Sequence, residues 1–403
     1  MNILFITVSK INNIDQSGIY TDLLREFVAE NHDVTVITPI QRREKIGKTI
    51  VEQVDGVTLI KVKTGNFQKT NPIEKTISQS MIEKHYINAI KRYTKNKKFD
   101  LVLYATPPIT FEKVVSFVKK RDNAKAYLLL KDIFPQNAVD LQMIRNKSLV
   151  HQFFRNKEKK LYQISDHIGC MSQGNLDYLI NHNPEIKNSK VEINPNTIEI
   201  REIAINKKER EKRKEELNIN KESIVFMFGG NLGKPQGIDF LIEYLKQEQV
   251  ENTFFIIAGN GTERYKLEKF FLDNQPSNAI LLDQLPKGEY EKIEQIADVG
   301  LVFLDKRFTI PNIPSRILGY MNSKIPILAA TDKHTDLRDI IMNGQLGFWS
   351  EHGDIESFRN NIIQLLDKQE RRILGENAYM YLKENYEVKK TYNTIMQHFR
   401  GEE

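Results

Sequence analysis

The stretch Ser223–Leu245, SIVFMFGGNLGKPQGIDFLIEYL, decides the fold. It opens on an unbroken β-branched and aromatic run, the mark of a strand buried on both faces. It closes on an amphipathic helix. Between them, glycines at 229, 230, 233 and 237 let the backbone turn tightly and come close to a ligand. A helix that starts on such a turn offers free N–H groups and a partial positive charge to a phosphate, and Lys234 adds a full charge. The same turn can equally be a purely structural joint. It is not a Walker loop, because no Gly-Lys-Ser/Thr follows.

The strand–turn–helix unit recurs on either side. Downstream, Thr253–Ala258, Ala279–Leu282, Val299–Leu304, Pro326–Ala330 and Gly347–Trp349 read as strands with helices between them. Upstream, so do Ile3–Val8, Asp33–Thr38, Val57–Lys61, Asp100–Ala105, Ala126–Leu130, His167–Met171 and Val191–Ile193. The stripe Leu23, Leu24, Phe27 and Val28 marks a helix over Ile19–Glu30. This alternation predicts an α/β protein of two Rossmann-like, doubly wound domains facing across a cleft, with ligands at the carboxyl ends of the strands. The expected boundaries are 1–200 and 201–384, with a C-terminal helix of about 385–403 returning to the first domain. The charge-dense Asn206–Asn220 is read as a solvated helix or linker.

Composition excludes several classes. The 403 residues hold one cysteine, Cys170, so disulfide frameworks and cysteine-based zinc sites are out. No apolar run reaches the roughly 18 residues of a membrane span, and the first residues lack the pattern of a signal peptide. A cytoplasmic protein is expected. The formal net charge is +6. Residues 1–195 carry 30 Lys and Arg against 20 Asp and Glu, a net of +10, so the remainder is at −4. That asymmetry suggests an anionic partner for the first half, or a Lys-rich composition that fell unevenly. No platform of interleaved aromatic and basic residues supports nucleic acid. Asp-x-Asp, HExxH and Gly-x-Ser-x-Gly are all absent from the sequence.

Two further turns join the first. Ala258–Gly261 (AGNG, with Gly259 and Gly261) opens a helix after a strand. Pro311–Met321 (PNIPSRILGYM) places Pro314, Ser315 and Arg316 at a helix head, where Ser315 can cap and Arg316 can grip phosphate oxygens. Three helix starts on one sheet edge, two with a cation, suit a diphosphate without a metal. In the first half, Gly18 precedes a helix, serving either a close substrate approach or a turn. LLLKDIFPQNAVD places Lys131, Asp132 and Phe134 at the sheet's carboxyl edge. Asp132 is either a catalytic carboxylate or a brace for its loop.

Taken together, MNILFITVSKINN…SGIYTDLLREF, KDIFPQNAVD, CMSQGN, INPNTIE, FGGNLGKPQGIDFL, AGNG and IPNIPSRILGYMNSKIPILAATD resemble the GT-B glycosyltransferases of family 4 over nearly the whole chain. The resemblance is nearest to transferases of N-acetyl-L-fucosamine in O-antigen and capsule assembly. It implies a UDP-sugar donor, UDP-N-acetyl-L-fucosamine favoured, and a polyprenyl-diphosphate-linked acceptor. No metal or other cofactor is implied. The donor residues it implies are Gly230, Asn231, Lys234, Gly237, Gly259, Gly261, Asp283, Leu285, Asn312, Ile313, Pro314, Ser315, Arg316 and Ile317. The acceptor residues are Gly18, Lys131, Asp132 and Phe134, and Asp132, Lys234 and Arg316 are the catalytic set. Two glutamates common in the family fall here on Pro311 and Gly319, and Asn231 and Gln236 replace an Arg and a Lys. The alternative is a UDP-sugar epimerase or hydrolase of the same architecture. A lipid-linked acceptor implies work at the inner face of the plasma membrane. The basic, apolar-striped segment Asn66–Lys98 is the expected contact with an anionic membrane surface, extended by Arg145–Lys160.

Overall fold

Runs of Val, Ile, Leu and Phe that lack a polar face cannot lie on a surface, and they are paired here inside two sheets. In the computed structural model, which describes residues 1–67, 70, 72–201, 207–247 and 250–399, the chain divides into two units. One is Met1–Glu199 with the segment from Glu387 onward; the other is Ile200–Tyr386.

The first unit contains β1 (Asn2–Ile6), β2 (Asp33–Gln41), β3 (Ile50–Val54), β4 (Val57–Thr64), β5 (Leu101–Ala105), β6 (Lys125–Leu130), β7 (His167–Cys170) and β8 (Val191–Ile193). Their order is β3-β4-β2-β1-β5-β6-β7-β8, parallel except for β3, which runs antiparallel to β4. Sequence reading missed β3. Its hairpin turns on Asp55–Gly56, both at positive φ, and an Asp-Gly pair between β-rich runs was the available signal. Register sets Phe5 opposite Val36 and Leu103. These side chains join Leu24 and Phe27 of helix Ile19–Ala29 in one core. That helix is pinned at its start by buried Asp22, which accepts hydrogen bonds from the Gly18 N–H (2.8 Å) and the Glu199 N–H (2.9 Å) and pairs with Arg25.

Where a C-terminal helix of about 385–403 is expected, the chain forms two helices, Lys368–Asn385 and Val388–Met396. The second lies in the first unit, where Val388, Tyr392, Ile395 and Met396 complete the core around Leu24 and Phe27. The Val388 N–H donates to the Ile198 carbonyl (2.9 Å). Residues 400–403 of that expectation lie outside the described residues, as does Asn206 ahead of the charge-dense helix Lys207–Glu216.

The basic segment of the first unit folds as helix Pro72–Tyr93. Its Ile82, Tyr86, Ala89 and Ile90 are buried, and the Tyr86 hydroxyl donates to the Thr7 carbonyl (2.7 Å). This part of the apolar stripe is core, and the expected membrane face there is corrected. A period-3.6 stripe looks the same whether it covers a sheet or a bilayer. Lys69 and the side chains of Ile73, Lys75 and Ile77 lie outside the described residues.

The second unit contains β9 (Ile224–Asn231), β10 (Thr253–Asn260), β11 (Ala279–Leu282), β12 (Val299–Phe303), β13 (Ile327–Thr331) and β14 (Gly347–Glu351). All are parallel, in the order β11-β10-β9-β12-β13-β14. Counted from β9 this is 3-2-1-4-5-6, so the order reverses between β9 and β12, where the sheet's carboxyl edge opens to a ligand. An aromatic core of Phe226, Phe228, Phe240, Tyr244, Phe255, Phe303 and Phe358 supports that edge.

Ile395 is fully buried and Met380 is half exposed. Ile395→Ala is expected to cost about 2–5 kcal/mol in urea unfolding, whereas Met380→Ala should stay within about 0.5 kcal/mol. Equal effects would show that the returning helix does not complete the first unit's core.

Candidate functional site

At the reversal point of the second sheet, Gly229 and Gly230 precede the last residue of β9, Asn231, and Gly230 pairs with Gly259, next to last in β10. Gly230 has φ +115 and Gly259 has φ +152. A Cβ at Gly259 would collide with the Gly230 carbonyl oxygen, so both conformation and space demand glycine. The chain after β12 returns through Pro311–Ser315 to helix Arg316–Asn322. The Arg316 guanidinium lies 4.3 Å from the Phe228 ring centroid, and a Cβ at Gly230 would stand 3.7 Å from its Nη2. Arg316 Nη1 is buried with no hydrogen-bond partner among the described residues. Burial holds the guanidinium's pKa below its ordinary value, against the opposing influence of Tyr320 and Tyr290. It stays charged nonetheless. A half-buried cation whose Nη1 is buried and unused among the described residues, beside a glycine edge, is equipped for an anion.

The other anticipated donor residues fall around it. Lys234 is exposed and makes no ion pair among the described residues. It lines an open pocket of about 510 Å³ with Gly237, Asp239, Glu263, Lys266, Asp305, Arg307 and His352. Arg316 is not among the residues that line it. Gly237 caps helix Ile238–Leu245 at φ +55. Gln236 braces the turn by accepting from the Gly233 N–H (3.1 Å), and Asn231 is exposed at the strand end. Gly261 packs against the Leu232 backbone. Asp283 pairs with Arg264 (2.8 Å), which also donates to the Leu282 carbonyl (2.9 Å); Leu285 is half-buried nearby in sequence. The Asn312 carbonyl accepts from the Thr335 hydroxyl (2.6 Å). Ile313 and Ile317 are buried, and Pro314 is half-buried. Ser315 is exposed and makes no capping hydrogen bond, which corrects the expectation of a serine cap: its backbone is already helical, so the hydroxyl does not face the free N–H groups.

Sequence reading missed Glu294, the last residue of helix Lys287–Glu294. It is 9% exposed, and its Oε1 stands 2.7 Å from where a Gly319 side chain would begin. Burial, aided by Glu291, raises its pKa to about 7. Among the described residues no donor meets its carboxylate. Tyr290 and Tyr320, whose hydroxyls burial holds well above their ordinary pKa, each feel the charges of both Glu294 and Arg316. Nothing in KGEYEKIE separates Glu294 from Glu289 and Glu291, so only the fold reveals it.

In the first unit, Lys131 and Asp132 follow β6. The Thr106 hydroxyl at the end of β5 accepts from both backbone N–H groups (3.0 and 3.2 Å). Burial lowers the Lys131 pKa to about 7 and raises that of Asp132 to about 6, the latter opposed by a hydrogen bond from Asn137 (2.8 Å). Phe134 packs edge-on against Phe154, ring centroids 5.0 Å apart. Gly18 is extended (φ 167), with its N–H held by Asp22, so left-handed backbone is not what requires glycine there. Among the described residues, no group of three or more His, Cys, Asp or Glu is placed to hold a metal ion.

Residues 209–381 match the family model "Glycosyl transferases group 1". That match lies within the second unit, Ile200–Tyr386. A curated relative described as "Probable glycosyltransferase WbjE", from Pseudomonas aeruginosa, is 23% identical over 265 residues, 65% of each chain; the match therefore spans less than two thirds of that protein. Among solved structures, sucrose-phosphate synthase from Thermosynechococcus elongatus superposes with a TM-score of 0.77 at 14% identity, covering 99% of this chain and 98% of that one. Anabaena HepE in complex with UDP and glucose gives 0.70 at 14% identity, covering 99% of both. The fold of the whole chain is GT-B. Within the second unit, Arg316 and the glycine edge lie at the reversal point of the sheet, and Glu294 stands against Gly319 of the helix that Arg316 begins.

The Asp132 shift has a measurable consequence. From about pH 4 to 6 the folded chain keeps a proton that the unfolded chain, at the ordinary carboxylate pKa of 3.8, has released. Stability therefore falls as pH rises through that window, by about 3 kcal/mol for a shift of roughly two units. Asp132→Asn should lack this fall and be the more stable chain at pH 7.5. Parallel urea midpoints for the two chains from pH 4 to 7.5 would refute the assignment.

Proposed function

We propose that this protein transfers a sugar from a UDP-sugar to an acceptor, without a divalent metal. The observation that carries the reading is Arg316. A half-buried guanidinium whose Nη1 meets no partner among the described residues lies beside a strand turn that requires glycine, inside the unit that matches the group 1 glycosyltransferase model. A UDP leaving group develops charge on its diphosphate as the glycosidic bond breaks. Arg316 and the N–H groups of the glycine edge stabilise that charge, with Lys234 as a mobile second cation. HepE, which shares the fold, was solved with UDP and glucose, in keeping with such a donor.

Glu294 supplies the carboxylate that position 319 lacks. It would accept hydrogen bonds from ribose or sugar hydroxyls, which fits a carboxylate that no described donor meets. The finer reading follows the motifs: N-acetyl-L-fucosamine as the sugar, a polyprenyl-diphosphate-linked saccharide as the acceptor, and a capsule or O-antigen repeat unit as the product. Pro311 in place of a glutamate suits a 6-deoxy sugar with fewer hydroxyls to hold. Asp132, basic enough at a pKa of about 6 to take a proton near neutrality, serves the acceptor hydroxyl, and Lys131 and Phe134 shape its loop.

The direct test is incubation with UDP-sugars and a lipid-linked acceptor, read by mass analysis of the product. Free UDP and sugar without an extended acceptor would instead indicate a hydrolase. Arg316→Ala should lower turnover about 10–150-fold, the worth of a charge-assisted hydrogen bond of roughly 1.5–3 kcal/mol felt in the transition state, with the melting curve intact. Glu294→Gln should weaken donor binding and leave acceptor KM unchanged. Turnover should persist in excess EDTA, since the sequence has no Asp-x-Asp pair. Complete loss restored by Mn²⁺ would overturn the metal-free mechanism.

A further inference from the structure

Asp132 follows β6, and what holds it in place comes from two neighbouring elements. The first is Thr106, which follows β5 and is 1% exposed. Its hydroxyl accepts from the Lys131 N–H (3.0 Å) and the Asp132 N–H (3.2 Å), and donates to the Asp132 carbonyl (3.1 Å). A hydroxyl has one donor and two lone pairs, so all of this one is spent on two consecutive residues. The Thr106 N–H donates to the Leu129 carbonyl (3.1 Å), which extends the β5–β6 pairing up to the clamp. The backbone that carries Asp132 is thereby tied to the sheet rather than to its own loop.

The second is Asn137, in helix Gln136–Asp140. Its Nδ2 donates to Asp132 Oδ1 (2.8 Å), and the Ile133 N–H also donates to that carboxylate. The other end of the amide is idle: Asn137 Oδ1 is buried and meets no donor among the described residues. A buried acceptor without a donor costs stability, and bracing the loop uses only one end of the amide. A protonated Asp132 would supply the missing donor. Turned end for end about its Cβ–Cγ bond, the amide accepts from the carboxyl O–H where before it donated to the carboxylate. No charged side chain among the described residues pairs with Asp132. Lys131 donates to the Asn194 carbonyl (3.4 Å) and feels Cys170, and Asp140 accepts from Gln136 (2.8 Å). The amide is therefore the group that answers to the Asp132 proton.

We propose that Thr106 and Asn137 are positioning residues for Asp132, Thr106 fixing its backbone and Asn137 holding its carboxyl in both protonation states by turning its amide. In the transfer, the acceptor O–H bond breaks, its electron pair forms the new bond to the sugar carbon, and its proton passes to Asp132. UDP leaves with the electron pair of the old glycosidic bond. The turned amide keeps the protonated carboxyl in place until water takes the proton. Neither residue touches the substrate. That sequence rests on Asp132 being the base; the hold on its backbone and carboxyl stands without it.

The test uses the full chain, labelled at the aspartate carboxyl carbons for NMR titration, with Asp132→Asn to assign the Asp132 signal. Asn137→Leu removes both uses of the amide at similar volume. The Asp132 midpoint should rise from about 6, because the lost N–H favoured the carboxylate. The acid limb of kcat/KM for the acceptor should move to higher pH with it. In the parent the Asn137 side-chain N–H signals should titrate at the Asp132 midpoint, and in Asp132→Asn they should not titrate there. Thr106→Val should lower kcat by up to about 100-fold, the effect of a displaced reacting group, with donor KM unchanged. Thr106→Ser, which keeps the hydroxyl, should restore it. An unmoved Asp132 midpoint in Asn137→Leu, or amide signals that ignore that midpoint in the parent, would overturn the role of Asn137. A Thr106→Ser chain as slow as Thr106→Val would overturn the clamp. Should Asp132→Asn keep the parent's turnover while Asn137→Leu still raises the Asp132 midpoint, the base assignment has failed and the hold on the carboxyl stands.

Discussion

In a parallel sheet every strand delivers its carboxyl end to the same edge, and the strand order decides where that edge opens. In the second unit the opening lies between β9 and β12, and each candidate group depends on it. The glycines end β9 and β10 because two backbones crowd there. Arg316 arrives from the loop after β12 because that strand is β9's other neighbour. Phe228, one residue before the glycine pair, belongs to the aromatic core and also forms the platform under the guanidinium. The apolar packing that stabilises the sheet therefore also fixes where the charge sits.

The architecture was legible because two-sided burial writes itself into sequence as unbroken apolar runs. Val299–Phe303 and Leu101–Ala105 need no alignment to be seen as interior strands. Edge elements are quieter: β3, IVEQV, is half-polar, and its only clear mark was the Asp-Gly turn beside it. The site was legible where a residue type is forced by backbone geometry, as at Gly230 and Gly259, or where a fixed charge sits in a distinctive segment, as at Arg316. It was not legible where one side chain stands in for another across space. Glu294 and Gly319 are 25 residues apart, and no local pattern links them. Helix Pro72–Tyr93 shows the complementary limit, since periodicity reports that a stripe is covered but not by what.

The two units handle buried charge differently. Arg316 keeps its charge and has no partner at Nη1 among the described residues, so a bound anion would relieve a cost already present there. Lys131 and Asp132 are pushed by burial toward their neutral forms, so both can change protonation near neutral pH. The first arrangement suits holding a charged group. The second suits moving a proton.

The return of helix Val388–Met396 to the first unit sets the order in which the chain can be completed during synthesis. The core around Leu24 and Phe27 lacks its last wall until the 187 residues of Ile200–Tyr386 have been made. At about 5–20 residues per second this takes roughly 10–40 s. Throughout that interval the nascent amino-terminal half exposes the apolar groove that the final helix will fill. The newborn chain thus passes through an obligatory stage at which a chaperone, or another unfinished copy, can occupy the place of its own terminus.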